Sequence, residues 1–149
     1  MIASPPPNTR PTETIAAGHE PQARYRRSTL VSSFRYAFAG IRYLLWTQRN
    51  AKIHSALGVL AIIFGLLLGL AQAEWLAVIL TITIVFVAEG FNTAIEATVD
   101  LAMPEYHPLA KVAKDVAAGT VLLTAIAAII VGLIVFLPHL LLLKGWLGL

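Results

Sequence analysis

From Val116 to Leu143 the chain carries no Asp, Glu, Lys or Arg. A helix of about 20 apolar residues, rising ~1.5 Å per residue, crosses the ~30 Å hydrocarbon core of a bilayer. This run is longer than that, and Pro138 within it is expected to end the spanning part. Ile53 to Ala73 is also uncharged, and Trp75 to Leu101 is long enough to span, with charge only in its second half. Three transmembrane helices are therefore predicted. Charged residues make up 13% of the chain, against roughly 25% in a soluble domain, which excludes an ordinary soluble protein. The absence of Cys excludes disulfides, thiolate metal sites and cysteine nucleophiles. The 149 residues allow one domain.

Charge is unevenly spread. Residues 1–52 hold eight Lys/Arg and two Glu, whereas residues 53–149 hold three Lys and six Asp/Glu. A basic stretch ahead of apolar segments marks a cytoplasmic flank, so nucleic acid is not the expected partner. The linker around Ala71–Glu74 has no Lys or Arg, while the 102–113 linker has Lys111, with Lys114 just beyond. The N-terminus and that second linker are therefore expected inside, with Lys144 and the C-terminus outside.

Residues 1–27 include Pro5, Pro6, Pro7, Pro11 and Pro21 and few large apolar residues. They are expected to form a disordered cytoplasmic tail ahead of a membrane domain over 28–149. No apolar stretch follows a basic start, so no signal peptide is expected there. Over 28–50, Leu30, Phe34, Phe38, Ile41 and Leu45 recur at helical spacing, and Arg35, Arg42 and Arg49 recur on another face. That pattern predicts an amphipathic helix on the inner membrane surface.

The second span carries Glu89, Asn92, Thr93, Glu96 and Asp100, which share one helical face. A carboxylate costs ~2.5 kcal/mol or more at the centre of a bilayer, so such a face needs a cavity, a partner or a cation. Glu105, Tyr106, His107, Lys111, Lys114 and Asp115 follow in and beside the second linker. Carboxylates that can hold Mg²⁺, lysine to offset phosphate charge and a carboxylate base are the needs of phosphoryl transfer. A polar helix interface or an ion pathway is the alternative source of such a stripe.

The run Glu89-Gly90-Phe91-Asn92-Thr93-Ala94-Ile95-Glu96-Ala97-Thr98-Val99-Asp100 resembles the signature of the prokaryotic diacylglycerol kinase family. So do Glu105-Tyr106-His107-Pro108-Leu109-Ala110-Lys111-Val112-Ala113-Lys114-Asp115 and Arg49-Asn50-Ala51-Lys52-Ile53-His54. The resemblance covers about residues 28–140. It implies an all-α integral membrane protein, a homotrimer with a surface helix and three spans per subunit, and sites shared between subunits. It implies ATP as co-substrate and Mg²⁺ as cofactor, with Glu89 as catalytic carboxylate and Glu96 as metal ligand. It assigns Tyr36, Asn92, Glu105, Tyr106, His107, Lys114 and Asp115 to ATP, and Arg42, Glu89 and Ala118 to the lipid. Where the family places a second metal-binding Glu, within Thr47-Gln48-Arg49-Asn50, this chain has Gln48. An amide oxygen can still ligate a hard cation, but without charge.

The resulting expectation is a lipid kinase of the bacterial inner membrane, using MgATP on a lipid hydroxyl at the inner interface. The Asn92–Asp100 and His107–Gly119 stretches look closer to the undecaprenol-kinase branch, with diacylglycerol the alternative acceptor. A small cation channel or transporter subunit is the rival class. Against it, Trp75–Ala88 offers only Thr81 and Thr83, too few polar groups for a continuous path. His54 is expected to make an interfacial hydrogen bond, and His19 and His139 to meet solvent or headgroups. Gly58, Gly65 and Gly69 in the first span are expected to serve close helix packing. So are Ala117, Ala118, Gly119, Ala125, Ala128 and Gly132 in the third. Trp75 and Trp146 are expected as outer-interface anchors.

Overall fold

A computed structural model describes residues 29–146, with side chains through Leu143. The expectations for the 1–27 tail, His19 and the Lys144 and Trp146 side chains fall outside the described residues. Four helices follow in order: α1 (Leu30–Thr47), α2 (Arg49–Leu68), α3 (Gln72–Ala102) and α4 (Pro108–Trp146). The last three are long and apolar enough to cross a membrane, as the uncharged runs predicted.

The helix expected over 28–50 is interrupted at Gln48, so Arg49 belongs to α2 and not to α1. Thr29 opens α1 by accepting from the Ser32 N–H through its hydroxyl. Gln48 takes an extended conformation (φ −87°, ψ 121°). Its N–H still closes α1 on the Leu44 carbonyl, and its own carbonyl accepts from the Lys52 N–H. One residue thus ends one helix and starts the next, which makes a corner in which its own N–H and carbonyl are both paired.

The first span stops at Leu68, short of the expected Ala73, because Gly69 turns left-handed (φ 67°). The Gly69 and Leu70 N–H groups both donate to the Gly65 carbonyl, a left-handed cap that suits a residue without Cβ. Gly69 is therefore a cap and not the packing position expected of it. Gly65 does serve packing: a Cβ there would stand 2.9 Å from the Trp75 ring and 3.0 Å from Leu70. The expected anchor Trp75 is half-buried against this turn. α3 starts with the Glu74 carboxylate accepting from the Ala71 N–H at 2.7 Å, which satisfies an end donor and opposes the helix dipole.

The helix itself runs on past Pro138, which lies inside α4. Proline removes one hydrogen bond and leaves the rungs on either side, which a helix in an apolar setting retains strongly. His139 Nδ1 lies 3.0 Å from the Val135 carbonyl in the same turn, and its Nε2 lies 3.6 Å from Glu74 on α3. His139 thus joins two helices, where solvent or headgroup contact was expected.

The buried core is small, centred on Leu70, Val78 and Val135 with Ala61, Trp75, Ile82 and Phe136 around it. α4 packs mainly on α3, and α2 also lies against α3. Leu66, Leu67, Leu122, Leu123 and Ile134, among many others, face outward. Such an apolar exterior requires a bilayer or further protein to cover it. Gly119 and Gly132 meet nothing within 4 Å of a Cβ position, so within one chain they do not make the close approach expected of them.

Candidate active site

The buried face of α3 runs through Val78, Val85, Glu89 and Asn92, at steps of seven, four and three residues. The acidic stripe therefore continues the stripe that packs the core, and the periodicity that buries two valines also buries a carboxylate. Glu89 is 2% exposed, the one large side chain among the described residues to be fully enclosed. Asn92 is 8% exposed. Its amide donates to Glu96 Oε1 at 3.0 Å, one turn further along. Thr93 donates to the Glu89 carbonyl at 2.9 Å and so leaves the Glu89 carboxylate unengaged.

Two oxygens stand out. Glu89 Oε1 and Asn92 Oδ1 are buried with no hydrogen-bond donor. Unsatisfied buried polar atoms are rare and often mark a functional role. His54 Nε2 on α2 lies 3.3 Å from Glu89 Oε1. That partner was not anticipated for His54, and no sequence signal pairs positions 54 and 89.

Beyond Glu96 the stripe reaches Asp100, whose Oδ1 accepts from Lys114 Nζ at 2.5 Å. The pair bridges the end of α3 and the start of α4. Lys111 and Asp115 also pair, one turn apart on α4. The linker is shorter than expected, because α4 begins at Pro108, where a missing N–H costs nothing. His107 supports that start: its Nδ1 accepts from the Leu109 N–H at 3.2 Å and its carbonyl from Lys111.

The other expected site residues are more dispersed. Tyr36 lies on α1 beneath the Arg35 guanidinium, 5.5 Å from the ring centre, and Arg42 lies further along the same helix. Glu105, Tyr106 and His107 are exposed in the linker, and Ala118 is exposed on α4. Gln48 is half-buried at the corner between α1 and α2. Glu89, Asn92 and Glu96 thus come together on one helix and Lys114 joins through Asp100. No hydrogen bond or ion pair among the described residues connects Tyr36, Arg42, Glu105 or Tyr106 to that group.

The donors suit a hard cation: carboxylate and amide oxygens, one of them buried without a partner. Among the described residues no three His, Asp or Glu converge. Beside this group lies an apolar cavity of about 280 Å³ between α2, α3 and α4, with His54 on its wall.

The profile described as Prokaryotic diacylglycerol kinase matches residues 35–136. The chain belongs to the prokaryotic diacylglycerol kinase family. Similar proteins include a diacylglycerol kinase of Synechocystis sp., 50% identical over 113 residues, which are 75% of this chain and 65% of that protein. An undecaprenol kinase of Bacillus subtilis is 45% identical over 108 residues, 72% of this chain and 88% of the relative. The diacylglycerol kinase of Escherichia coli K12 is 30% identical over 111 residues, 74% of this chain and 90% of the relative. The resemblance drawn from the motifs is therefore borne out, and with it the lipid-kinase class of the family. The matches lend no support to a channel subunit. Three apolar helices and bacterial relatives make this member of the diacylglycerol kinase family a bacterial membrane protein.

Proposed function

We propose that this chain transfers the γ-phosphoryl group of ATP to the hydroxyl of a membrane lipid, with Glu89 as general base. The observation that carries the reading is the Glu89 carboxylate, 2% exposed, with Oε1 making no hydrogen bond although His54 Nε2 lies 3.3 Å away. In the reaction Glu89 takes the lipid hydroxyl proton as the oxygen attacks the γ-phosphorus. The bond from that phosphorus to the β–γ bridging oxygen breaks, ADP leaves, and Glu89 later returns its proton to solvent. Most of the rate enhancement in such a reaction comes from positioning and electrostatics.

Asn92 holds the Glu96 carboxylate in place. Glu96, with Gln48, would hold Mg²⁺, which supplies charge neutralisation to the phosphates when bound. Lys114, paired with Asp100 one turn beyond Glu96, would offset phosphate charge. Tyr36, Glu105, Tyr106, His107 and Asp115 belong to the nucleotide side, and Arg42 and Ala118 to the lipid side. Undecaprenol is the proposed acceptor, on the wording of the Asn92–Asp100 and His107–Gly119 stretches, with diacylglycerol the alternative. Both acceptors appear in the names of the relatives. Phosphate transfer from labelled ATP by purified protein, offered each lipid separately, tests the reading. Transfer to neither would overturn it.

α1 is proposed to lie on the inner surface. It has no residue buried by the rest of the chain, and Leu30, Phe34 and Phe38 are exposed. A homotrimer with shared sites agrees with the dispersed Tyr36, Arg42 and Glu105, and with the open space at Gly119. On the basic flanks, the N-terminus and the α3–α4 linker are proposed to lie inside and the C-terminus outside. The chain has no native Cys, so single cysteines report topology directly. Ala73→Cys is expected to react with an impermeant maleimide added to intact cells, and Ala110→Cys only after lysis. Labelling of position 110 from outside would separate the site from cytoplasmic ATP.

Gln48 provides a second test. Gln48→Ala removes an oxygen, so the Mg²⁺ concentration for half-maximal rate is expected to rise. Gln48→Glu adds a carboxylate, so that concentration is expected to fall. Initial rate against Mg²⁺ at fixed ATP measures both. Three superimposable curves would take Gln48 off the metal.

A further inference from the structure

The side of α2 that meets α3 is built almost wholly from small residues. Ala51 is fully buried, Gly58 stands against Ile82 at 3.5 Å from a Cβ position, and Gly65 stands against Trp75. Ala61 packs on the same core. His54 shares this face, three residues after Ala51 and four before Gly58, beside the half-buried Ser55, whose hydroxyl donates to the Ala51 carbonyl. The close approach allowed by Ala51 and Gly58 brings the imidazole to Glu89, with Nε2 3.3 Å from Oε1. The imidazole also forms part of the wall of the apolar cavity.

We propose that His54 is a positioning residue, which holds the Glu89 carboxylate in the orientation that receives the acceptor's proton. The proposal rests on the reading of Glu89 as base. An enclosed carboxylate without a donor can turn about its last bond, and only some orientations aim an oxygen at the lipid hydroxyl. A donor on Oε1 fixes the plane and leaves Oε2 for the proton. The 3.3 Å separation of Nε2 from Oε1 is within hydrogen-bond reach. Catalytic hydrogen bonds are often long before substrate binds and tighten in the complex.

The test compares initial rates, varied in MgATP and in lipid, for wild type, His54→Ala, His54→Gln, Glu89→Gln and the double variant His54→Ala/Glu89→Gln. Misplacement of a reacting group by about 1 Å costs up to ~10²-fold, so His54→Ala is expected to lower kcat about 10- to 10²-fold. Both KM values are expected to stay within about twofold, since neither substrate loses a contact. Gln presents an N–H near the place of Nε2, so His54→Gln is expected to recover most of the rate. In the Glu89→Gln background, His54→Ala is expected to cost nothing more, because its effect acts through the carboxylate. If His54→Ala does not yield folded protein, His54→Asn, whose amide falls short of Oε1, takes its place with the same expected loss. An unchanged kcat, a failure of Gln to rescue, or a full further loss in the Glu89→Gln background would each overturn the proposal. Near-normal turnover of Glu89→Gln alone would instead remove Glu89 as the base.

Discussion

Glu89→Gln is expected to lower phosphate transfer about 10²- to 10⁴-fold, the usual contribution of one well-placed general base. The amide keeps the size and shape of the carboxylate, so the packing of α3 against α2 and α4 should persist. Removing a buried charge also removes a desolvation cost, so stability should not fall. Nucleotide binding should remain, because the assigned ATP contacts lie elsewhere on the stripe and in the linker. The measurement pairs transfer from labelled ATP with equilibrium ATP binding on the same preparation. Near-normal transfer by a folded variant would make Glu89 a structural acid.

Glu96→Gln should act on the cation instead. Asn92 donates to Glu96 Oε1 at 3.0 Å, and a glutamine oxygen can accept the same bond. Only the charge is lost. Ligand charge strongly tunes the affinity of oxygen sites for hard cations, and losses of about 10- to 10²-fold accompany disturbed metal shells. The half-maximal Mg²⁺ concentration should rise by that factor, with turnover largely recovered at saturating Mg²⁺. Gln48 contributes no charge, so Glu96 carries more of the attraction here than it would beside a second carboxylate. A Mg²⁺ curve unmoved by Glu96→Gln would place the metal elsewhere.

Apolar length is enough by itself to read three spans, because runs such as Val116–Leu143 exceed what is needed to cross a bilayer core. The shared face of Glu89, Asn92 and Glu96 is equally legible, since their offsets belong to one helix and need no tertiary information. What escaped was contact between helices. The His54–Glu89 approach depends on the rotational phase of α2 against α3, which Gly58 and Gly65 set through Ile82 and Trp75. The Asp100–Lys114 pair depends on how sharply the chain reverses between Ala102 and Pro108. Gly69 misled because a glycine in an apolar run reads as a packing position until its φ is known.

The connection between Leu68 and Gln72 has a consequence for biosynthesis. Three residues, Gly69 to Ala71, join two long apolar helices, and three residues reach at most about 10 Å. Gly65 presses against Trp75 across this bend. Neither helix can therefore settle in the bilayer well before the other. The nascent chain must deliver both as one hairpin, tip first, and the tip carries no Lys or Arg to resist translocation. Basic residues inserted between Gly69 and Ala73 would then strand both helices together on the side of synthesis, and α4 would meet a membrane from which its packing partner is missing.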